Sequence, residues 1–305
     1  MTQKQRYTDM RKIAVFLVVG VFILQAAFFA DSVWKGQLSG LVSAGEEVKK
    51  TDRDQFDYIS KLAEENEIEK AINACNDFIK SFPQSSLASD AYFTLGKLQE
   101  SQDEHYKAFT SYQHIVKEYP HVAYMEELLD RQFTIGLKFF EGERLRIGGV
   151  PTMPSQTKAI EIFEAIKKNA PFSEYGEKAQ FYIGLSYEKM KDYEEAMTAF
   201  NDLLEEYPTT EFASEASFKM ADLVYKTAQR NLDNETLLDS AEEKFDEFIA
   251  TYPNNISAIE EASSRKKQLL EEQAERLYKI GRFYENQRHL ESAKIYYALI
   301  INKYP

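Results

Sequence analysis

The sequence predicts an all-α protein: an α-solenoid of about six helix–turn–helix repeats, preceded by an N-terminal signal or transmembrane helix. Three observations carry that reading. Turn residues are scarce, with 8 Pro and 12 Gly in 305 residues, below average usage of roughly 5% and 7%, which excludes a many-stranded sandwich. Six of the eight prolines (Pro83, Pro120, Pro171, Pro208, Pro253 and Pro305) close segments that share one pattern. An unbroken apolar run near the start belongs to none of those segments. With 44% hydrophobic and 29% charged residues, the remainder is neither a disordered chain nor a multi-pass membrane protein.

The apolar run comes first. Residues 13–30, IAVFLVVGVFILQAAFFA, contain Gln25 as the only clearly polar side chain. Lys4, Arg6, Arg11 and Lys12 precede it with Asp9 as the sole acid, an arrangement that keeps the amino terminus cytoplasmic and translocates everything after Ala30. Two readings fit. A secretory signal would be cleaved at a small-x-small site, which Ala30-Asp31-Ser32 offers. An uncleaved anchor needs about 20 residues, close to the length present. Residues 31–51, with Gly36, Gly40 and Gly45 in a polar context, read as a linker to a repeat domain over 52–305.

Six units follow, ending near 83, 120, 171, 208, 253 and 305. Twelve residues before each closing proline stands an alanine: Ala71, Ala108, Ala159, Ala196, Ala241 and Ala293. Eight before it stand Cys75, Tyr112, Phe163, Phe200, Phe245 and Tyr297. The residue just before the proline is aromatic in every unit but the third, where it is Ala170. A small residue lets a neighbouring helix approach, and an aromatic four positions on lies on the same face. Proline then ends the helix, because it lacks an N–H and drives the residue before it out of the helical region. Upstream of each such helix a second one is expected. Leu95-Gly96, Ile135-Gly136, Ile183-Gly184 and Ile280-Gly281 mark where two helices meet with no side chain between them.

These residues match the tetratricopeptide (TPR) pattern W-x2-L-G-x2-Y, A-x3-F, P. The first unit, with Tyr58-Ile59 at the Leu-Gly point, is degenerate, as terminal repeats often are. Spacing between closing prolines is uneven, at 37, 51, 37, 45 and 52 residues. The third unit carries the excursion GERLRIGGVPTMPSQ (142–156), which holds the other two prolines, and the fifth a shorter insertion around 230–239. Segment 254–273 either adds a helix or lengthens the first helix of the sixth unit. Insertions in a solenoid map to loops and often to partner contacts, so Arg144, Arg146, Pro151 and Pro154 are the candidate partner loop. Stacked arrays need a closing element, so the last unit is expected to expose a surface that a further segment or a partner covers.

One first-helix position is aromatic in every unit: Phe56, Phe93, Phe133, Phe181, Phe218 and Tyr278. In TPR arrays this position usually faces the groove formed by successive first helices, where a ladder of rings would hold an extended peptide or a helix. The competing reading is packing between adjacent repeats.

No catalytic, cofactor or metal site is expected. The single cysteine, Cys75, allows no internal disulfide and stands at a packing position. His105, His114, His121 and His289 show no ligand spacing. GxxxxGK[ST], GxSxG and HExxH are absent. Glu194-Glu195 and Glu205-Glu206 read as solvated helix surface. The net charge of -13 argues against a nucleic-acid partner, which needs a basic face.

Over residues 52 to the end, the sequence resembles the BamD family, the TPR component of the outer-membrane β-barrel assembly machinery. The helix-ending segments Phe82-Pro83-Gln84-Ser85 and Tyr207-Pro208-Thr209-Thr210, the interrupted third unit, and the closing stretch LYKIGRFYENQRHLESAKIYYALIINKYP carry the resemblance. It implies a non-enzymatic periplasmic scaffold at the outer membrane, with the barrel-assembly core protein and unfolded barrel precursors as partners. Members are typically anchored through a lipobox cysteine, and here no cysteine precedes Cys75; residues 13–30 or partner contacts would hold the protein instead. The alternative is a periplasmic TPR adaptor of the Tol/cell-division or peptidoglycan-synthesis machinery. That group places a coiled coil before fewer repeats, and residues 31–52 show no sustained heptad.

Overall fold

The computed structural model describes residues 51–147, 150–230 and 234–303. The expected leader and nearly all of the linker lie outside the described residues. By contact density the chain divides into two compact units, residues 1–59 and 60–305. Described residues of the first unit form the start of helix α1 (Asp52–Glu64). Its N-terminus is a reciprocal cap: the Asp54 N–H donates to Thr51 Oγ1 and the Thr51 N–H to the Asp54 carboxylate, each at 3.1 Å.

Eleven further helices follow among the described residues: α2 (Ile68–Ser81), α3 (Ala88–Ser101), α4 (His105–Glu118), α5 (Met125–Glu141), α6 (Gln156–Asn169), α7 (Glu174–Met190), α8 (Tyr193–Glu206), α9 (Ala213–Gln229), α10 (Glu235–Thr251), α11 (Ile256–Asn286) and α12 (Leu290–Lys303). Together with α1 they form the six helix–turn–helix pairs expected from the prolines. From α2 onward each helix packs against the next in the chain, and first helices also touch across units, as α5 does α7 and α9 does α11. The fold is a TPR-like helical solenoid. No helix of the described residues is long and apolar enough to cross a membrane.

Two expectations about elements are corrected or resolved. The excursion in the third unit is an antiparallel hairpin, β1 (Arg144–Ile147) paired with β2 (Val150–Pro154), so the protein is not purely α-helical. Three β-branched residues and two prolines within 144–154 disfavour helix and suit an isolated two-stranded ribbon. Segment 254–273 does not form a separate helix; it joins the first helix of the last unit to make α11, 31 residues long.

The local rules behind the pairs are visible at both ends of each. Before the closing prolines, Phe82, Tyr119, Ala170, Tyr207 and Tyr252 leave the helical region with ψ between 54° and 63°. Each still donates its N–H to the carbonyl four residues back, at 2.7–3.0 Å. The turn inside a pair is a left-handed one: Asn66, Asp103, Lys191 and Arg288 have φ of 56–67°. The next residue in each case sends its N–H to a carbonyl five back, closing a Schellman motif. In the third unit Gly142 (φ 118°) takes that role and releases the chain into β1.

Inside four of the six pairs a glycine seats an aromatic. A methyl group on Gly184 would lie 2.6 Å from Phe200 Cε1, and one on Gly136 2.6 Å from Phe163 Cε1. Gly96 and Gly281 seat Tyr112 and Tyr297 in the same way; Ala221 stands at this position in the fifth unit. The Leu/Ile-Gly point and the Ala-x3-aromatic point are therefore two sides of one contact. Tyr112, Phe163, Phe200 and Phe245 are completely buried, as is Cys75. Burial pushes the Cys75 thiol up to about 12, so it serves as a packing residue.

Candidate functional site

The aromatic ladder is built into this packing. Phe133 and Phe181 are 8% and 3% exposed, Phe56, Phe93 and Phe218 are half-buried, and Tyr278 is 50% exposed. Each of the five rungs from Phe93 on meets the seated aromatic of its own unit, with Phe93–Tyr112 at 5.8 Å, Phe133–Phe163 at 5.5 Å and Phe181–Phe200 at 5.8 Å between ring centroids. Several also meet a ring that opens the next unit: Phe93 stacks on Tyr124 at 4.7 Å, Phe181 on Phe212 at 4.9 Å, and Phe133 approaches Tyr175 at 6.1 Å. The rings thus couple one unit to the next, and the inner rungs Phe133 and Phe181 are buried in that packing. Phe93 lies beneath cations, with Lys97 Nζ 4.6 Å and the Arg131 guanidinium 5.7 Å from its centroid.

The first-helix face is held by charge. Arg131 on α5 bridges Glu100 on α3 (3.4 Å) and Glu127 (2.9 Å), and the Tyr112 hydroxyl donates to Glu100. Further along, Glu188 on α7 accepts from Lys219 (3.0 Å) and Lys226 (2.8 Å) on α9. Lys226 also pairs with the buried Asp222 at 2.7 Å, and Arg265 on α11 approaches Asp222 at 3.8 Å. Burial acts to raise the Glu188 carboxyl, but the two lysine hydrogen bonds outweigh it and hold it below the usual carboxylate range. Burial likewise acts to lower Lys226, and its bonds to Asp222 and Glu188 leave it raised. This network joins three consecutive first helices.

The candidate partner loop is gathered in the hairpin, where Arg144 pairs in register with Pro154 and Arg146 with Pro151. Arg144 is exposed, and Leu145 packs on the core of α4–α8. At the hairpin base a cavity of about 220 Å³ is lined by His105, Phe139 and Glu143. His105 is buried, with Nδ1 3.5 Å from Glu143. His114 lies against Tyr92, centroids 4.1 Å apart. No cluster of His, Cys, Asp or Glu among the described residues is arranged to hold a metal ion.

Of two further surfaces, the sequence pattern did not single out the first. One is a groove of about 910 Å³ along α6, α7 and α8, floored by Ile183, Tyr187 and Ala199 and edged by Glu164, Glu194 and Glu195. Phe172, fully exposed, stands in its wall. The other is the last helix pair: Phe283, Leu290, Ile295 and Ile301 are 59–73% exposed, and Ala293 is the only buried residue of α12.

Residues 153–305 match the family described as YfiO, outer membrane lipoprotein, and residues 90–121 match the tetratricopeptide repeat family. No curated protein matches the chain. Among solved structures, the chain is similar to a thermophilic TPR protein from Thermus thermophilus, at 14% identity and TM-score 0.34 over 70% of this chain and 98% of that one. A tetratricopeptide repeat protein from Parabacteroides merdae is similar at 15% identity and TM-score 0.35, over 81% of this chain and 91% of that one. MamA from Desulfovibrio magneticus is similar at 14% identity and TM-score 0.32, over 67% and 96%.

Proposed function

Since the chain belongs to the YfiO family of outer membrane lipoproteins, we propose that it is a non-enzymatic scaffold of the bacterial cell envelope. In this reading it takes part in assembly and insertion of outer-membrane β-barrel proteins through protein–protein contacts. The family match over 153–305, from the end of the hairpin through the last helix pair, carries the reading. The repeat stack supports it, since paired helices account for the described chain from α1 to α12 apart from one hairpin.

Residues 1–30 then act as the signal or anchor and 31–51 as the linker that lets the repeats stand in the periplasm. The segment 13–30, or contacts with partners, holds them at the membrane. The hairpin residues Arg144, Arg146, Pro151 and Pro154 reach the barrel-assembly core protein. Unfolded barrel precursors meet the first-helix face, where Tyr278 is half exposed, Phe93 lies beneath Lys97 and Arg131, and Phe133 and Phe181 support the surface from within. Depletion of the protein tests this. Folded, heat-modifiable barrel proteins should fall in the outer membrane and recover when the full chain is supplied; undiminished barrel content after depletion contradicts it.

A further inference from the structure

The groove along α6, α7 and α8 departs from its own repeat. After the closing proline the other units carry a polar residue, Gln84, His121, Thr209 and Asn254; here the residue is Phe172, completely exposed. An aromatic side chain left wholly in water forfeits the gain of burial, and no core position of the fold requires it there. It stands beside a floor of Ile183, Ala199 and Tyr187 large enough, at about 910 Å³, for several side chains.

The rim is predominantly acidic. Glu164, Glu194, Glu195, Asp202 and Glu206 face the groove against Lys167 and Lys168. Lys167 is already tied to Glu206 at 2.9 Å. No ion pair within 4.0 Å among the described residues engages Glu164, Glu194, Glu195 or Asp202. Burial raises the Tyr187 phenol, and Glu164 and Glu195 raise it further, as a concentrated negative potential requires. Such a rim repels phosphates of lipid or nucleic acid. It also disfavours a second copy of a chain whose own net charge is -13.

We propose that this groove receives a lysine- or arginine-bearing segment of a partner protein, seating one or two apolar side chains against Phe172, Ile183 and Tyr187 between the carboxylates of α6 and α8. The occupant deepens the scaffold reading, on which it rests, by fixing the chemistry of one partner segment. The rim supplies attraction and register, and the floor supplies desolvated contact.

The test uses the full chain with two surface variants, Glu164→Gln/Glu194→Gln/Glu195→Gln and Phe172→Ser. The probe is a fluorescent twelve-residue peptide of lysine and leucine carrying a photo-crosslinker, with a glutamate-for-lysine version as control. The expected result is crosslinks confined to α6, α8 and the 171–173 turn. Affinity should fall on the order of tenfold in the triple variant, fall in Phe172→Ser, and weaken with salt. Crosslinks elsewhere, unchanged affinity in both variants, or equal binding of the glutamate peptide overturns it. Self-association of the parent that the variants lose overturns it in favour of a second copy. Co-purification of the barrel-assembly core protein, measured on the same preparations, separates the two readings. Loss of peptide binding with the core protein retained removes only the groove proposal, whereas a crosslinked groove with no core protein recovered removes the barrel-assembly reading.

Discussion

Phe181 is buried between two repeat units. It lies 5.8 Å from Phe200 and stacks on Phe212 at 4.9 Å. Phe200 in turn rests on Gly184, where a methyl group would come within 2.6 Å of the ring. Truncating Phe181 opens a cavity between two units, so Phe181→Ala should cost about 3–5 kcal/mol in urea denaturation. A variant as stable as the parent, with partner binding lost, would instead restore the open-ladder reading. Both halves of the glycine contact were legible in the sequence, as the Ile-Gly pair and as the Ala-x3-aromatic spacing. Their pairing was not, because periodicity reports which face of a helix is apolar and not which ring that face meets. Phe172 escaped the pattern for a related reason: the closing prolines mark helix ends and say nothing of the residue that follows them.

Elements are joined by charge as well as by rings. Glu188 of α7 holds two lysines of α9, and through Asp222 the network reaches Arg265 of α11. Because the folded carboxyl of Glu188 lies below its ordinary value, its contribution is present above the unfolded carboxylate pKa and is lost as pH falls through the lowered folded value. Glu188→Gln should therefore reduce stability at pH 7 by about 2 kcal/mol. The difference from the parent should shrink as pH falls through that lowered value and the carboxyl takes up its proton; a gap that persists to the acid end of the denaturation curves would argue against the assignment. At this scale the sequence marked where the repeat is interrupted but not what fills the interruption. Pro151 and Pro154 mark a break in helix equally well for a loop and for the hairpin that forms. Residues 254–273 contain neither proline nor glycine, and nothing in them punctuates the run that became α11.

Across residues 60–305 the protein is a linear stack in which each helix pair depends on its neighbours, as three core clusters spanning α4–α8, α7–α9 and α9–α11 show. In the last pair, α12 buries Ala293 and leaves Leu290, Ile295 and Ile301 more than half exposed. Repeat count and order were readable from six prolines, since each ends a helix by the same backbone chemistry. Partner identity was not, because it resides in side chains on the surfaces between those fixed points. In-cell crosslinking of the full chain, followed by identification of what co-purifies, decides between the proposed role in outer-membrane barrel assembly and a role elsewhere in the envelope. Recovery of the barrel-assembly core protein is the predicted result; recovery of Tol components or peptidoglycan synthases in its absence would contradict the account.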